Sequence, residues 1–406
     1  MKKSFSHVVY GGAHLFSQRT PQKLGELATA AWEKLARSDE DLHASFGSRS
    51  PEVYARAEKK LRAAPVSDIR IDFEDGYGVR AEEEEKKDAA RTGKELAAVP
   101  TTPGGPAFGV RIRAIRPGTS ERALSVIDAF CTNLLEAGGK LPHDFVVTLP
   151  KVRNKAEVAA LESRLATLEN RLGLPRIGME LMAETRESAS AAELASWIQA
   201  GAGRVRSLHL GAYDFLSELG VLARSHRLHH PYTDALRTAM KLATADTDVD
   251  VFDGATTLLP IDTQKKKDGA PLTEKEAQEN RLRVHAAFSA HVTDVAQSLD
   301  KGFMGSWILY PAQLVSHAVA QASFYVDELA SSRARLGNFV AEASRASAVG
   351  TSFDDRATAR GLVSFFARGL VSGVLTASDL GPLEPHEALI RAEDVDGLVA
   401  AFHARA

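Results

Sequence analysis

Residues 68–75 read DIRIDFED, a short β-rich run that ends in three acidic side chains, Asp72, Glu74 and Asp75. Seven more β-rich runs punctuate the chain: SHVVYGG (6–12), FGVRIRAI (108–115), DFVVTLPKV (144–152), RIGMELMAET (176–185), RVRSLHLGAYD (204–214), VDVFDGAT (249–256) and FMGSWILYP (303–311). Segments with helical spacing, such as PQKLGELATAAWEKLA and NKAEVAALESRLATLENRL, lie between them. Strands separated by helices need crossover connections, which impose parallel pairing, and eight such units close a barrel. The expected fold is therefore an α/β (β/α)8 TIM barrel, with a doubly wound open sheet as the structural alternative.

The expected organisation is a barrel over residues 1–326 and a helical C-terminal appendage over 327–406. Two insertions interrupt the barrel. Residues 38–66 carry an extra helix, whose start signal is SRSP with Ser50 as N-cap and Pro51 at the first helical position. Residues 257–275 form a long polar loop containing KKKDG, read as a solvated loop or a mobile lid. PTTPGGP at 100–106 is a punctuated loop.

Composition excludes several functions. The chain has 406 residues, 44% hydrophobic and 25% charged, enough to bury a large core. Its net charge of -3, with no long basic block, argues against nucleic acid as a partner. A single cysteine, Cys131, rules out an intrachain disulfide framework and fits a reducing compartment, so the cytoplasm is the expected location. No run approaches the roughly 20 apolar residues that span a bilayer.

Barrel active sites form where strands end. The strand ends supply Asp72, Glu74 and Asp75, then Arg111 and Arg113, then Lys151, Glu184, Asp214, Asp253 and the turn Tyr310-Pro311-Ala312-Gln313. Carboxylates on adjacent strand ends converge on a hard cation, Mg2+ or Mn2+, and Glu184 with Asp214 is the best pair. Arg111 has a structural alternative as an ion-pair partner of Glu74. Asp253 serves either its own loop or a substrate, and Lys151 either binds substrate or forms a Schiff base. His14 and the cluster His226, His229 and His230 are further candidates, with His14 and His230 as substrate contacts. The run Glu82–Glu85 reads as an acidic first helical turn.

Seven of these stretches, IDFEDGYG, GVRIRAI, VVTLPKV, LMAETRESA, HLGAYDFLSELG, FDGA and YPAQL, resemble in order the motifs of the HpcH/HpaI aldolase and citrate lyase beta-subunit family, malyl-CoA lyases included. That family lies within the phosphoenolpyruvate/pyruvate barrel superfamily. The resemblance implies that Glu184 and Asp214 bind Mg2+, that Arg111 binds a substrate carboxylate or keto oxygen, and that Asp72, Glu74 and Asp75 lie by the metal and its waters. It implies a carbon–carbon lyase passing through an enolate, a small carboxylated substrate and a homo-oligomer. Departures matter as well. GGAHLFSQRTP replaces the family's PGSRP, which leaves CoA thioester and free acid both open. Arg113 replaces an asparagine and suits a second anionic group on the substrate. Gly76 and Gly78 open the loop after the second strand or let it approach a ligand. Tyr310 stands in place of a histidine, and no general base is assigned. Two rival readings remain, a phosphoenolpyruvate-dependent phosphotransferase and a barrel retained as a non-catalytic subunit.

Overall fold

In the computed structural model, residues 7–100, 105–266, 271–342, 347–349, 352–354 and 356–403 are described. Most of PTTPGGP and the end of the KKKDG run lie outside them. Each of the eight β-rich runs forms a strand: β1 His7–Gly12, β2 Asp68–Asp72, β3 Ala107–Arg111, β4 Val146–Leu149, β5 Gly178–Ala183, β6 Val205–Leu210, β7 Asp250–Ala255 and β8 Gly305–Ile308. Every strand pairs in parallel with the next, and β8 returns to β1 through His7 opposite Ser306, so the sheet is a closed barrel. The open-sheet alternative falls.

The helices follow as α1 Thr20–Leu35, α2 Asp39–Phe46, α3 Pro51–Ala63, α4 Glu82–Ala97, α5 Ser120–Glu136, α6 Lys155–Leu172, α7 Ala191–Ala200, α8 Ala212–Glu218, α9 Pro231–Thr244, α10 Glu274–Asp300 and α11 Gln313–Ala341. The C-terminal set is α12 Arg356–Ser372, α13 Glu387–Arg391 and α14 Val395–His403. The main core lies between barrel and helices, with Ile71, Val110, Leu149, Leu181, Leu210 and Ile308 facing the helical layer.

Side chains of alternate parity point into the lumen, where contacts join strands that are not neighbours. Arg70 of β2 reaches Glu180 of β5, and Tyr10 of β1 reaches His209 of β6. A small apolar group of Val8, Tyr10, Met182, Phe252, Ala255 and Trp307 packs separately from the main core. The lumen is therefore filled by side chains rather than left as a channel.

Two expectations need correction. The 38–66 insertion holds two helices, α2 and α3; Ser38 caps the first and Ser50 the second, each accepting from the backbone N–H three residues on. The C-terminal region is not helical throughout, because Ser347–Val349 and Ser352–Asp354 form a two-stranded antiparallel ribbon, β9 and β10. Helix α11 runs unbroken through position 327, so barrel passes into tail without a change of secondary structure. Arg56 of α3 grips Asp379 through two hydrogen bonds of 2.8 and 2.7 Å, tying the insertion to the C-terminal helices. The described part of the 257–275 loop is pinned: Asn280 accepts from Thr263 N and Gln264 N and donates to Gln264 O. Among the described residues no helix is long and apolar enough to cross a membrane.

Candidate active site

Strand register builds the first part of the site. Asp72 and Arg111 are direct partners across β2 and β3, so their lumen-facing side chains lie side by side. The Arg111 guanidinium bonds both Asp72 oxygens, Nε to Oδ1 at 2.6 Å and Nη2 to Oδ2 at 2.5 Å. Its third nitrogen, Nη1, lies 3.2 Å from Glu74 and 3.6 Å from Asp75. Beneath it the plane rests on the rings of Tyr10 and Trp307, which stack on each other with centroids 4.4 Å apart. Burial disfavours its charge, but Asp72 outweighs that and raises the Arg111 pKa.

Asp72 does more than hold Arg111. It accepts the backbone N–H groups of Glu74 and Gly76 at 2.9 and 2.7 Å, so one buried carboxylate shapes the β2–α4 loop. Gly76 suits that close approach, since a Cβ there would lie 2.6 Å from Asp72 Oδ2. Its carbonyl also abuts Gly12 at the end of β1. The glycine therefore serves the packing of this loop against Asp72 and the end of β1.

Lys151 joins the cluster from β4. Its Nζ bonds Glu74 Oε1 and lies 3.1 Å from Asp75 and 4.0 Å from Asp214. Its backbone N–H donates to Glu184 Oε1 at 2.6 Å, and its carbonyl accepts from Arg116 at 2.5 Å. Burial works against the ammonium, but the carboxylates outweigh it and raise the Lys151 pKa. That arrangement makes a free amine for a Schiff base unfavourable at neutral pH.

Glu184 follows β5 and is almost fully buried. Burial, with Asp214 nearby, pushes its carboxyl up to about 8. Among the described residues its Oε2 has no hydrogen-bond partner. That oxygen lies against Gly211, where any Cβ would collide with it. Asp214, in the first turn of α8, is half exposed and is raised by burial despite Lys151. Burial likewise raises Glu74 against the pull of Arg111 and Lys151. Burial would raise Asp75 too, but Glu74, Arg111 and Lys151 hold it low.

The donor set at this mouth is all carboxylate, the chemistry of a hard divalent cation. Among the described residues no three acidic, imidazole or thiolate side chains already form a ligand set. Mg2+ is commonly held by one or two carboxylates with waters completing the shell. Buried Glu184, whose Oε2 accepts no hydrogen bond among the described residues, and Asp214 beside it fit that pattern.

Other expected residues lie elsewhere. Asp253 is fully buried but turned outward, opposite in parity to Phe252, which stacks on His209 in the lumen. Arg237 of α9 holds both its oxygens, and Ser298 of α10 and the N–H of the next strand residue, Gly254, donate to it. Asp253 thus binds its own strand and the helical layer, not the mouth. His230 is the N-cap of α9, its ring accepting from Tyr232 N, and His229 bonds Asp294 O and Lys301 of α10's end. His226 bonds Val221 O, so all three histidines brace loops. Arg113 is drawn away from the cluster to Gly78 O and to buried Glu85, which Arg122 shares. It still lines, with Glu74, Arg80, Thr119 and Arg122, a cavity of about 270 Å3 beside the site. His14 is exposed at the rim against the Tyr77 ring. Gln313 locks the β8 turn, accepting from Leu309 N and Tyr310 N and donating to Thr256 O.

Sequence reasoning missed Tyr10, Trp307, Arg116 and Gly211. Alternation along VVYGG and SWIL gave a signal for the first two, since Val8 and Tyr10 share a face. None existed for Arg116, whose role depends on where the β3–α5 loop passes.

The fold and its mouth together define a closed (β/α)8 barrel with a buried, carboxylate-rich centre at the strand ends. The chain belongs to the family described as Domain of unknown function (DUF6986), whose model matches residues 2–388. No curated protein matches the sequence. Among solved structures it is similar to a citrate lyase from Burkholderia xenovorans LB400, at 18% identity over 94% of this chain and 96% of that one, with a TM-score of 0.59. A Haloferax volcanii malate synthase, in a pyruvate/acetyl-CoA ternary complex, aligns at 14% identity over 99% of this chain and 98% of that one, with a TM-score of 0.48. At these identities the likeness to the citrate lyase is one of fold.

Proposed function

We propose that the protein is a divalent-metal-dependent carbon–carbon lyase. It cleaves or forms a bond beside a carboxylated 2-oxo or 3-hydroxyacyl unit, through an enolate. The observation that carries this reading is the meeting, at one barrel mouth, of buried Glu184, whose Oε2 accepts no hydrogen bond among the described residues, with Asp214 beside it and the Arg111 guanidinium. The ordered motif resemblance to HpcH/HpaI aldolases and citrate lyase beta-subunits supports the same assignment.

Glu184 and Asp214 would hold Mg2+ or Mn2+. The ion supplies Lewis-acid polarisation of a carbonyl oxygen, typically worth several kcal/mol of charge stabilisation. Arg111 is fixed by Asp72 on two nitrogens, so only Nη1 faces the mouth. That edge exchanges its Glu74 contact for a substrate carboxylate or developing oxyanion without moving the guanidinium. The stacked Tyr10 and Trp307 floor keeps it from tilting and excludes water from below. Glu74, raised by burial, is the carboxylate suited to accept or return a proton at Oε2.

The test follows exchange of the methyl protons of pyruvate and of acetyl-CoA, and cleavage of oxaloacetate, by NMR in D2O. Wild type and Glu184→Gln are compared with and without Mg2+. The proposal expects exchange or cleavage only in wild type with metal, and the compound that reacts distinguishes free acid from thioester. No reaction with any of the three, while Mn2+ still binds wild type, contradicts the lyase assignment and favours a non-catalytic barrel.

A further inference from the structure

The cation that sits among these carboxylates is part of the chain. Lys151 Nζ bonds Glu74 and approaches Asp75 at 3.1 Å and Asp214 at 4.0 Å, while the same residue's N–H occupies one oxygen of Glu184. Backbone geometry puts it there. Thr148 faces the lumen, bonded to Glu180, and Leu149 faces the helical core. Continued alternation would send Lys151 outward with Leu149. Instead the chain turns at Lys151 with φ +52°, a left-handed conformation that is uncommon for a residue with a Cβ. Arg116 holds the turned peptide by its carbonyl. A strained backbone is thus maintained at a position whose side chain, together with Arg111, offsets the charge of the mouth carboxylates.

From this we infer that Lys151 is a tethered counter-cation that competes with the divalent ion for the mouth carboxylates. Resting on the metal-site reading above, this adds a device that reading does not contain. A cation entering beside Asp214 and Glu184 brings a second positive charge within a few ångströms of the ammonium, and like charges at that distance repel strongly in a partly buried site. Metal entry therefore releases Nζ from Asp214 and Asp75 and swings it about its flexible four-carbon stem. The freed ammonium then faces the mouth, where an anionic substrate is its natural partner. Lys151 is thus a positioning residue that couples metal binding to substrate binding. In its absence Arg111 still faces Glu74 and Asp75, but the lysine ammonium no longer approaches Asp214, and metal binds more tightly.

The experiment is a Mn2+ titration followed by the electron paramagnetic resonance signal of free Mn2+, which needs no turnover. It uses the full chain as wild type, Lys151→Met, Lys151→Asn and Glu184→Gln. Asparagine tolerates the left-handed backbone and guards against misfolding of the methionine variant. The inference expects both lysine variants to bind Mn2+ about tenfold more tightly than wild type, and oxaloacetate to tighten Mn2+ binding in wild type but not in them. Equal or weaker binding by both lysine variants overturns the inference and leaves the metal site standing. No binding by any protein, or binding unaffected by Glu184→Gln, overturns the metal reading and this inference with it.

Discussion

Glu180 on β5 and Glu184 just past its end lie four residues apart, face the same lumen, and are both almost wholly buried, yet the protein treats them oppositely. Glu180 lies in a closed network. Arg70 bonds both its oxygens and both those of Asp68, and Thr148, Ser207 and His209 supply further contacts. Burial disfavours its charge, but Arg70 and His209 outweigh that and hold its pKa well below the usual range. One turn of strand higher, Arg111 and Lys151 face Asp72, Glu74, Asp75, Glu184 and Asp214, and burial leaves Glu184 raised. A satisfied buried network specifies structure, whereas an excess of one charge in a buried mouth is a place for a ligand.

The largest expected effect breaks the lower layer. Arg70→Met strands two buried carboxylates and should cost about 3–5 kcal/mol of unfolding free energy, measured by urea denaturation. A loss below about 1 kcal/mol would mean that the layer is not a closed network. Asp253→Asn comes next, because it leaves Arg237 without its buried counter-charge. A loss of about 2–3 kcal/mol is expected with metal affinity unchanged, which separates an outward structural aspartate from the mouth.

The upper layer should behave inversely. Glu184→Gln in EDTA at pH 8 should gain about 1–3 kcal/mol, since it removes a charge that burial and Asp214 disfavour more than Lys151 favours it. Its pH dependence has a definite sign. The folded carboxyl holds its proton up to about 8 while the ordinary value is 4.5, so between them the folded state binds more protons. The contribution is full below 4.5 and is lost as pH rises through about 8 without metal. Glu184→Gln should flatten that part of the stability profile, and an unchanged profile would assign the slope to other groups. The smallest effect is His230→Ala, which removes the α9 cap and should cost about 1 kcal/mol without changing Mn2+ affinity.

The contrast also shows how far sequence reading reaches. Eight strand runs, the Ser50 cap and the acidic strand ends were legible because each is local: a β-rich stretch, a Ser-Pro start, a charged residue after an apolar run. Meetings across the lumen, such as Arg70 with Glu180 or Tyr10 with His209, depend on register and closure and left no mark along the chain. Asp253 shows a signal that went unread. Phe252 beside it faces inward, so alternation alone sends Asp253 to the helices. Lys151 shows the reverse, because a single left-handed residue overrides alternation and carries a side chain back to the mouth. The β9–β10 ribbon interrupts a C-terminal region that otherwise reads as helix, and the first insertion helix, α2, is only eight residues long.

The most direct measurement is the thermal unfolding midpoint at pH 8 of wild type, Glu184→Gln and Glu180→Gln, each with Mg2+ and with EDTA. A ligand that binds only the folded state raises the midpoint. The account predicts that Mg2+ raises it for wild type and for Glu180→Gln, from a lower starting point in the latter, and leaves Glu184→Gln unmoved. An equal Mg2+ shift in wild type and Glu184→Gln, or none in wild type, would contradict the claim that the unsatisfied upper layer exists to hold a cation.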